Sequence, residues 1–282
     1  MAEQPEIVIA PSNAAQSRAW DGDQGEFWAE RAERFDEGVA AYHELFLDAA
    51  EIGPAARVLD VGCGSGKVTR DAARRAAAGW AHGVDLSAPL VDLARVLAQR
   101  EGVANASFER ADAQVHPFPT VDLVLSRHGA MFFGAPRDAF THLGRALAPG
   151  GGLALLTWQP AEHNPWMGGF RSALSGGREG APPVDGPGPL SMSEPAVVRA
   201  LLESAGFERV RLDGLRERMY FGRDAADAFR FVTGQFSGLL AGLEAAQRER
   251  AEARLLALLT EHESERGVLF ESAAWLVRAR RP

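Results

Sequence analysis

Two hydrophobic rhythms alternate along the middle of this chain. Short apolar runs predict strands over 57–61, 81–85, 106–110, 121–126 and 152–158. Amphipathic stretches of helical period predict helices over 67–78, 88–100 and 136–147 between them, with another over 194–205. That βα order requires right-handed crossovers and a mostly parallel sheet covered on both faces. Ser87 and Ser193 read as helix N-caps, with Pro89 and Pro195 in the first turn, where a missing N–H matters least. Ahead of the sheet, Phe27, Trp28, Phe35, Val39, Tyr42, Leu45 and Phe46 recur at helical spacing and predict two helices within 24–52. After it, β-rich stretches over 207–221 and 268–279 are separated by helices over 225–234 and 243–263.

These patterns divide the chain. Residues 1–17 mix Pro, Gln, Ser and Asn and read as a flexible arm, although Ile7-Val8-Ile9 can dock locally. Residues 18–282 read as a single domain: covering helices over 18–53, a core over 54–160, a flexible loop over 161–192, and a C-terminal part over 193–282 with a helical insertion over 223–264. Five glycines and four prolines between Ser175 and Pro189 are too many for a regular element and place the loop near the mouth of a site. A length of 282 residues suffices for a substantial core.

Charge narrows the partners. The net charge is −8, and arginines are interspersed with acidic residues, which argues against tracking nucleic acid. The single Cys63 excludes an internal disulfide framework. With no signal peptide and no long apolar run, a cytoplasmic protein without a membrane span is expected. His43-Glu44 and His262-Glu263 each lack the second histidine of a zinc helix, so no metal is expected. The oligomeric state, monomer or homodimer, is left open.

The chemistry concentrates at two strand ends. Val58-Leu59-Asp60-Val61-Gly62-Cys63-Gly64-Ser65-Gly66 joins a strand to a loop whose glycines permit a sharp turn and close approach to a ligand. Asp85 ends the next strand nineteen residues past Gly66, placed to accept from both ribose hydroxyls. A dinucleotide loop needs glycine where Lys67 stands, and a phosphate loop needs glycine at Val61 and Ser or Thr at Val68. Asp60 would also repel a pyrophosphate. A nucleoside with a cationic tail, S-adenosylmethionine, removes that conflict.

The stretch resembles the glycine-rich motif of class I S-adenosylmethionine-dependent methyltransferases. Further matches follow in order: Phe108-Glu109-Arg110-Ala111-Asp112-Ala113, Asp122-Leu123-Val124-Leu125-Ser126-Arg127, and Leu147-Ala148-Pro149-Gly150-Gly151-Gly152. The likeness covers roughly 20–282 and is nearest to a bacterial small-molecule group with a Ser-Arg-aromatic-Gly-x-Met-Phe-Phe stretch. It implies a Rossmann-like α/β fold with a seven-stranded, mostly parallel sheet, an antiparallel C-terminal edge and a lid of N-terminal helices.

The resemblance also implies site roles. Asp60 and the Gly62, Cys63, Gly64 loop would meet the methionine part, Asp85 the ribose, Leu86 the adenine face, and Asp112 the adenine amine beside Ala113, with Ser126 at the next strand end. Cys63 otherwise fills a tight space. Trp28, with Trp20 and Phe27, closes over the cofactor or clamps the lid to the sheet. The loop after the fourth strand would lie beside the methyl group. There His128, standing where relatives have an aromatic residue, is a candidate base; Arg127 anchors the loop or a carboxylate, and His163 is a second candidate base. Met131, Phe132, Trp158 and Trp166 are candidates for an apolar acceptor pocket or for ordinary core. The implied activity is metal-independent transfer to a small, partly apolar acceptor, by O-methylation in bacterial secondary metabolism, leaving S-adenosylhomocysteine. N- or C-methylation, a binding protein that transfers no methyl, and a nicotinamide oxidoreductase are the alternatives.

Overall fold

A computed structural model describes residues 7–175 and 186–282. A 3-10 turn, Pro11–Asn13, leads into α1 (Ala14–Trp20), α2 (Asp23–Glu30), α3 (Ala32–Gly38) and α4 (Ala40–Ala49). The core continues through β1 (Arg57–Val61), α5 (Lys67–Arg75), β2 (Trp80–Asp85), α6 (Ala88–Arg100), β3 (Ala106–Arg110), β4 (Val121–Arg127), α7 (Pro136–Ala146) and β5 (Leu147–Trp158). Then come α8 (Pro165–Leu174), α9 (Pro195–Ser204), β6 (Glu208–Gly222), α10 (Ala225–Gln235), α11 (Ser237–Leu240), α12 (Ala245–Glu261), β7 (Glu263–Ser264) and β8 (Gly267–Arg280).

The sheet order is β3-β2-β1-β4-β5-β8-β6, with the two-residue β7 paired to β8. The first five strands are parallel, and β8 runs antiparallel between β5 and β6. Strands buried on both sides explain the near-continuous apolar runs: Val58, Leu59, Val124, Leu125, Leu155 and Leu156 are almost fully inaccessible. The expected Rossmann-like architecture with an antiparallel C-terminal edge is therefore the fold, and α10–α12 form the insertion before the last long strand.

Four expectations change. The lid region holds three helices over 23–49 instead of two, because the chain breaks at Arg31 and Val39. Ser87 caps α6, its Oγ accepting from Leu90 N at 3.4 Å, but Ser193 caps nothing: it is buried, Glu194 is the N-cap of α9, and the Ser193 carbonyl accepts from Trp275 Nε1 at 2.7 Å. The arm expected over 1–17 has defined structure where it is described: Ala10 and Asn13 are buried and bonded to the core, and α1 begins at Ala14. Residues 1–6 lie outside the described residues.

The loop expected over 161–192 is also largely structured. Trp166, Phe170 and Leu174 bury one face of α8, and the aromatic pairs Phe170–Phe221 and Phe170–Phe270, 4.9 and 5.0 Å apart, fix it to β6 and β8. Its later part is pinned by Gly188 N and Ser191 Oγ, both donating to the Met131 carbonyl at 3.0 and 2.6 Å. Residues 176–185, the centre of the Gly/Pro stretch, lie outside the described residues.

Candidate active site

The carboxyl ends of β1, β2 and β4 open into a cavity of about 240 Å³. Its first wall is the loop after β1. Gly62 N and Cys63 N donate to the Val84 carbonyl at 2.9 and 3.0 Å, which ties the turn to β2. Gly62 has φ +66°, and a Cβ there would stand 2.8 Å from Gly129 Cα, so only glycine lets the β1 and β4 loops touch. Gly64, at φ +54°, faces open space: a Cβ would meet nothing within 4 Å. The loop thus presents bare backbone to the cavity.

Two carboxylates stand beside it. Asp85 Oδ2 accepts from Gly64 N at 2.9 Å and Oδ1 from Ser87 N at 3.0 Å, and burial raises its pKa. Asp60 is 1% exposed. Its Oδ2 accepts from Thr69 Oγ1 at 2.6 Å, and burial pushes its pKa up to about 6, against the pull of Thr69 and Arg127. An apolar-bound carboxylate of this kind favours a cation beside it. Cys63 is buried, and burial raises its thiol pKa well above normal, so it packs rather than reacts. Leu86 and Ala113 line the same end.

Asp112 has a structural task as well. It is 0% exposed and borders the cavity, and it accepts from Ala10 N, Asn13 Nδ2 and Gln114 N at 2.9, 2.9 and 3.0 Å. The carboxylate holds the N-terminal segment down, and Asn13 itself becomes part of the wall. Ser126 departs from its expected role. Its Oγ donates to the Val61 carbonyl at 2.7 Å and accepts from Ala130 N at 2.9 Å, bracing β1 against the β4 loop behind the cavity.

The second wall is aromatic. Met131, Phe132, Trp158 and Trp166 all line it, as do Trp20, Trp28 and Phe35 from the lid. Trp28 stacks on Phe35 at 3.4 Å, and Trp20 meets Trp28 and Phe132 edge-on at 5.5 and 5.2 Å. His128 stacks on Trp158, with centroids 4.1 Å apart and planes 14° from parallel. It holds φ +61°, an uncommon conformation for a side-chain-bearing residue and a frequent mark of a functional loop. Both ring nitrogens are buried and have no hydrogen-bond partner, and burial together with Arg127 lowers its pKa to about 3. His128 is therefore a neutral imidazole at physiological pH.

Arg127 lines the cavity but is engaged, as an anchor would be. Its guanidinium pairs with Asp36 of α3, and Nη1 stands 3.3 Å from His43 Nδ1. Guanidinium only donates, so His43 Nδ1 accepts and its Nε2–H donates to Asp71 at 2.8 Å. This ladder bolts the lid to β4 and α5 and removes Arg127 from proton transfer. His163 ends a 3-10 turn, Ala161–His163, and does not line the cavity, which excludes it as a base.

Several wall residues carry no local sequence signal: Asn13, Arg34, Asp36, Tyr220, Phe231 and Gln235. They come from the N-terminal segment, the lid, β6 and α10, and only the folded topology gathers them. Among the described residues no cluster of His, Cys, Asp or Glu fits a metal, and no helix is long and apolar enough to cross a membrane.

Residues 58–151 match the family model for a methyltransferase domain. An uncharacterized methyltransferase of Mycobacterium bovis is 30% identical over 180 residues, covering 60% of this chain and 89% of the relative. The chain belongs to the class I S-adenosylmethionine-dependent methyltransferases. Other mycobacterial relatives align at 33% identity over 125 residues, so the match spans 44% of this chain and 44% of those proteins. Among solved structures, the YcgJ protein of Bacillus subtilis superposes with a TM-score of 0.59 at 19% identity, covering 86% of this chain and 98% of that one. A phosphoethanolamine N-methyltransferase of Haemonchus contortus, solved with phosphomonomethylethanolamine and S-adenosylhomocysteine, gives 0.58 at 15% identity, covering 97% and 61%. At such identities these structures share the fold. The methyltransferase's cofactor is S-adenosylmethionine, and the cavity fits it: Gly64 leaves backbone bare, Asp85 stands beside it, and Asp60 invites a positive charge.

Proposed function

We propose that this methyltransferase moves a methyl group to oxygen on a small, partly apolar acceptor of the kind bacterial secondary metabolism provides. One observation carries the reading. The bare glycine loop and the aromatic wall belong to one cavity, and the unpartnered His128 sits on the loop that touches Gly62.

Asp85 would hold the ribose hydroxyls, Asp60 and the Gly62–Gly64 backbone the cationic amino acid tail, and Leu86 and Ala113 the adenine. Bound there, the cofactor supplies a methyl group already activated by its sulfonium. The chain's own task is alignment, and good positioning supplies about 7–11 kcal/mol of such a barrier. Trp158 fixes the plane of His128, and the lid aromatics exclude water. Transfer to a hydroxyl oxygen would leave the C–S electron pair with the cofactor's sulfur and would require the hydroxyl proton to leave. An alkylated oxygen holds its proton far more weakly than a free hydroxyl. A neutral His128 nitrogen therefore receives it although its own pKa is low, and then passes it to water.

A labelled-methyl assay against phenols, alcohols and amines tests this. His128→Phe is expected to lower kcat about 10²-fold on a hydroxyl acceptor while S-adenosylhomocysteine affinity stays within about twofold. The wild-type kcat profile should show no His128 limb between pH 5 and 8. An inflection near pH 6.5 that vanishes in His128→Phe contradicts the neutral-imidazole mechanism, and methyl transfer confined to amines contradicts the choice of oxygen.

A further inference from the structure

Three residues lining the cavity carry buried polar atoms with no hydrogen-bond partner: both ring nitrogens of His128, Gln235 Oε1 at the last residue of α10, and Arg34 Nη1, which has only an ion-pair contact with Glu37 at 3.3 Å. Leaving a buried acceptor unpaired is costly, so such groups persist where a ligand satisfies them.

The position of Gln235 is built. Phe231 lies one helical turn earlier on α10 and also faces the cavity, where it meets Phe35 of the lid at 4.8 Å. A Cβ at Gly234 would stand 2.4 Å from the Phe27 ring, so lid and insertion pack without slack beside Gln235. Arg34 of the lid pairs with Asp227 on the same helix.

The charged groups of the acceptor side are already matched. Arg34 has Asp227 and Glu37, and Arg127 has Asp36, whose other oxygen accepts from Ser65 Oγ at 3.2 Å. Both guanidiniums there have carboxylate partners, so a carboxylate or phosphate meets no uncompensated positive charge and an ammonium no unpaired carboxylate, among the described residues. What remains is a carbonyl oxygen that requires a donor, an Arg34 N–H that requires an acceptor, and a neutral imidazole that offers one N–H and one lone pair. A hydroxyl satisfies both modes, and the surrounding rings favour a flat body.

Building on the methyltransferase reading above, we propose that Gln235 and His128 together select the acceptor, and that it is an uncharged aromatic compound carrying at least two hydroxyl groups. One hydroxyl faces His128 for methylation; another donates to Gln235 Oε1. Gln235 is thus a specificity residue contributed by the C-terminal insertion.

The test measures binding and turnover separately. Calorimetry on the full chain saturated with S-adenosylhomocysteine would titrate a dihydroxylated naphthalene, its mono-hydroxy counterpart, a naphthoate and a naphthylamine; labelled-methyl transfer would follow on the same four probes. The dihydroxy compound is expected to bind at least tenfold tighter than each of the others. Gln235→Leu should erase that advantage through KM. Gln235→Glu, which keeps a carbonyl oxygen in place when burial holds it protonated, should retain it. Selective binding of the dihydroxy probe without methyl transfer would sustain this selection and refute the proposed reaction. Tighter binding of the naphthoate or naphthylamine, equal binding of all four, no binding of any, or a Gln235→Leu variant with the wild-type preference overturns it, whatever the turnover.

Discussion

The charge state of Asp60 makes cofactor affinity depend on pH in a calculable way. In the free protein burial holds its pKa up to about 6, and a cationic ligand tail binds only the ionised form. At pH 7 about nine in ten molecules carry the charge, whereas at pH 5 about one in eleven does. The dissociation constant of S-adenosylhomocysteine should therefore rise about tenfold between pH 7 and pH 5, or about 1.4 kcal/mol. Isothermal titration across that interval measures it directly. Adenosine, which lacks the ammonium, is the control: any effect of Asp85 protonation on ribose binding appears in both ligands and cancels in their ratio. Asp60→Asn should flatten the ratio. The stability of the free protein moves the opposite way. A raised acid pKa means that the folded state holds the proton more tightly, so the contribution of Asp60 is complete below the unfolded value of 3.8 and is lost as pH rises through about 6. Cofactor binding should consequently raise Tm more at pH 7 than at pH 5. A ratio of dissociation constants that is flat in the wild type, or a slope that survives in Asp60→Asn, refutes the placement of the cationic tail beside Asp60.

Three further outcomes follow from other contacts. Arg127→Leu strips the partner from the half-buried Asp36 and should destabilise the fold by about 2–4 kcal/mol in urea denaturation, with Asp36→Asn in the same chain restoring part of the loss. Asn13→Ala removes the side-chain bond to Asp112 and should speed proteolytic cleavage ahead of α1 several-fold, while cofactor protects; equal cleavage rates would show that the segment is held by other means. Cys63 should resist a maleimide at neutral pH for hours in the native protein and react fully once unfolded, a contrast read by mass spectrometry.

The strand-end wall of the cavity was legible because its residues are close in sequence. Asp60, the glycine loop, Asp85, Leu86 and Ala113 sit on successive βα turns, and the fold brings strand ends together without help from distant segments. Asp112 shows the limit. Its position at the cavity was read correctly, but its partners Ala10 and Asn13 lie about a hundred residues earlier in a segment without periodicity, so its bonds to them were not readable. The acceptor side was half legible. Met131, Phe132, Trp158 and Trp166 follow strand ends, whereas Phe231 and Gln235 reach the cavity only because α10 packs on the lid through Arg34 and Asp227, 193 residues apart. His163 failed because the chain direction after β5 is set by α8 docking on β6 and β8, which no local pattern encodes. Ser126 looked like a ligand contact because a strand-end hydroxyl is equally suited to tie two loops together.

The interlock of lid and α10 separates two inheritances within one molecule. One end of the cavity is walled by a compact run of early strands, while the other is roofed by pieces drawn from far apart in the chain. On the proposed reading, exchanges at Phe231 or Gln235 would retune which compounds are accepted without disturbing the donor's cradle. New chemistry in this lineage has room to arise at the meeting of its first forty residues and its last seventy.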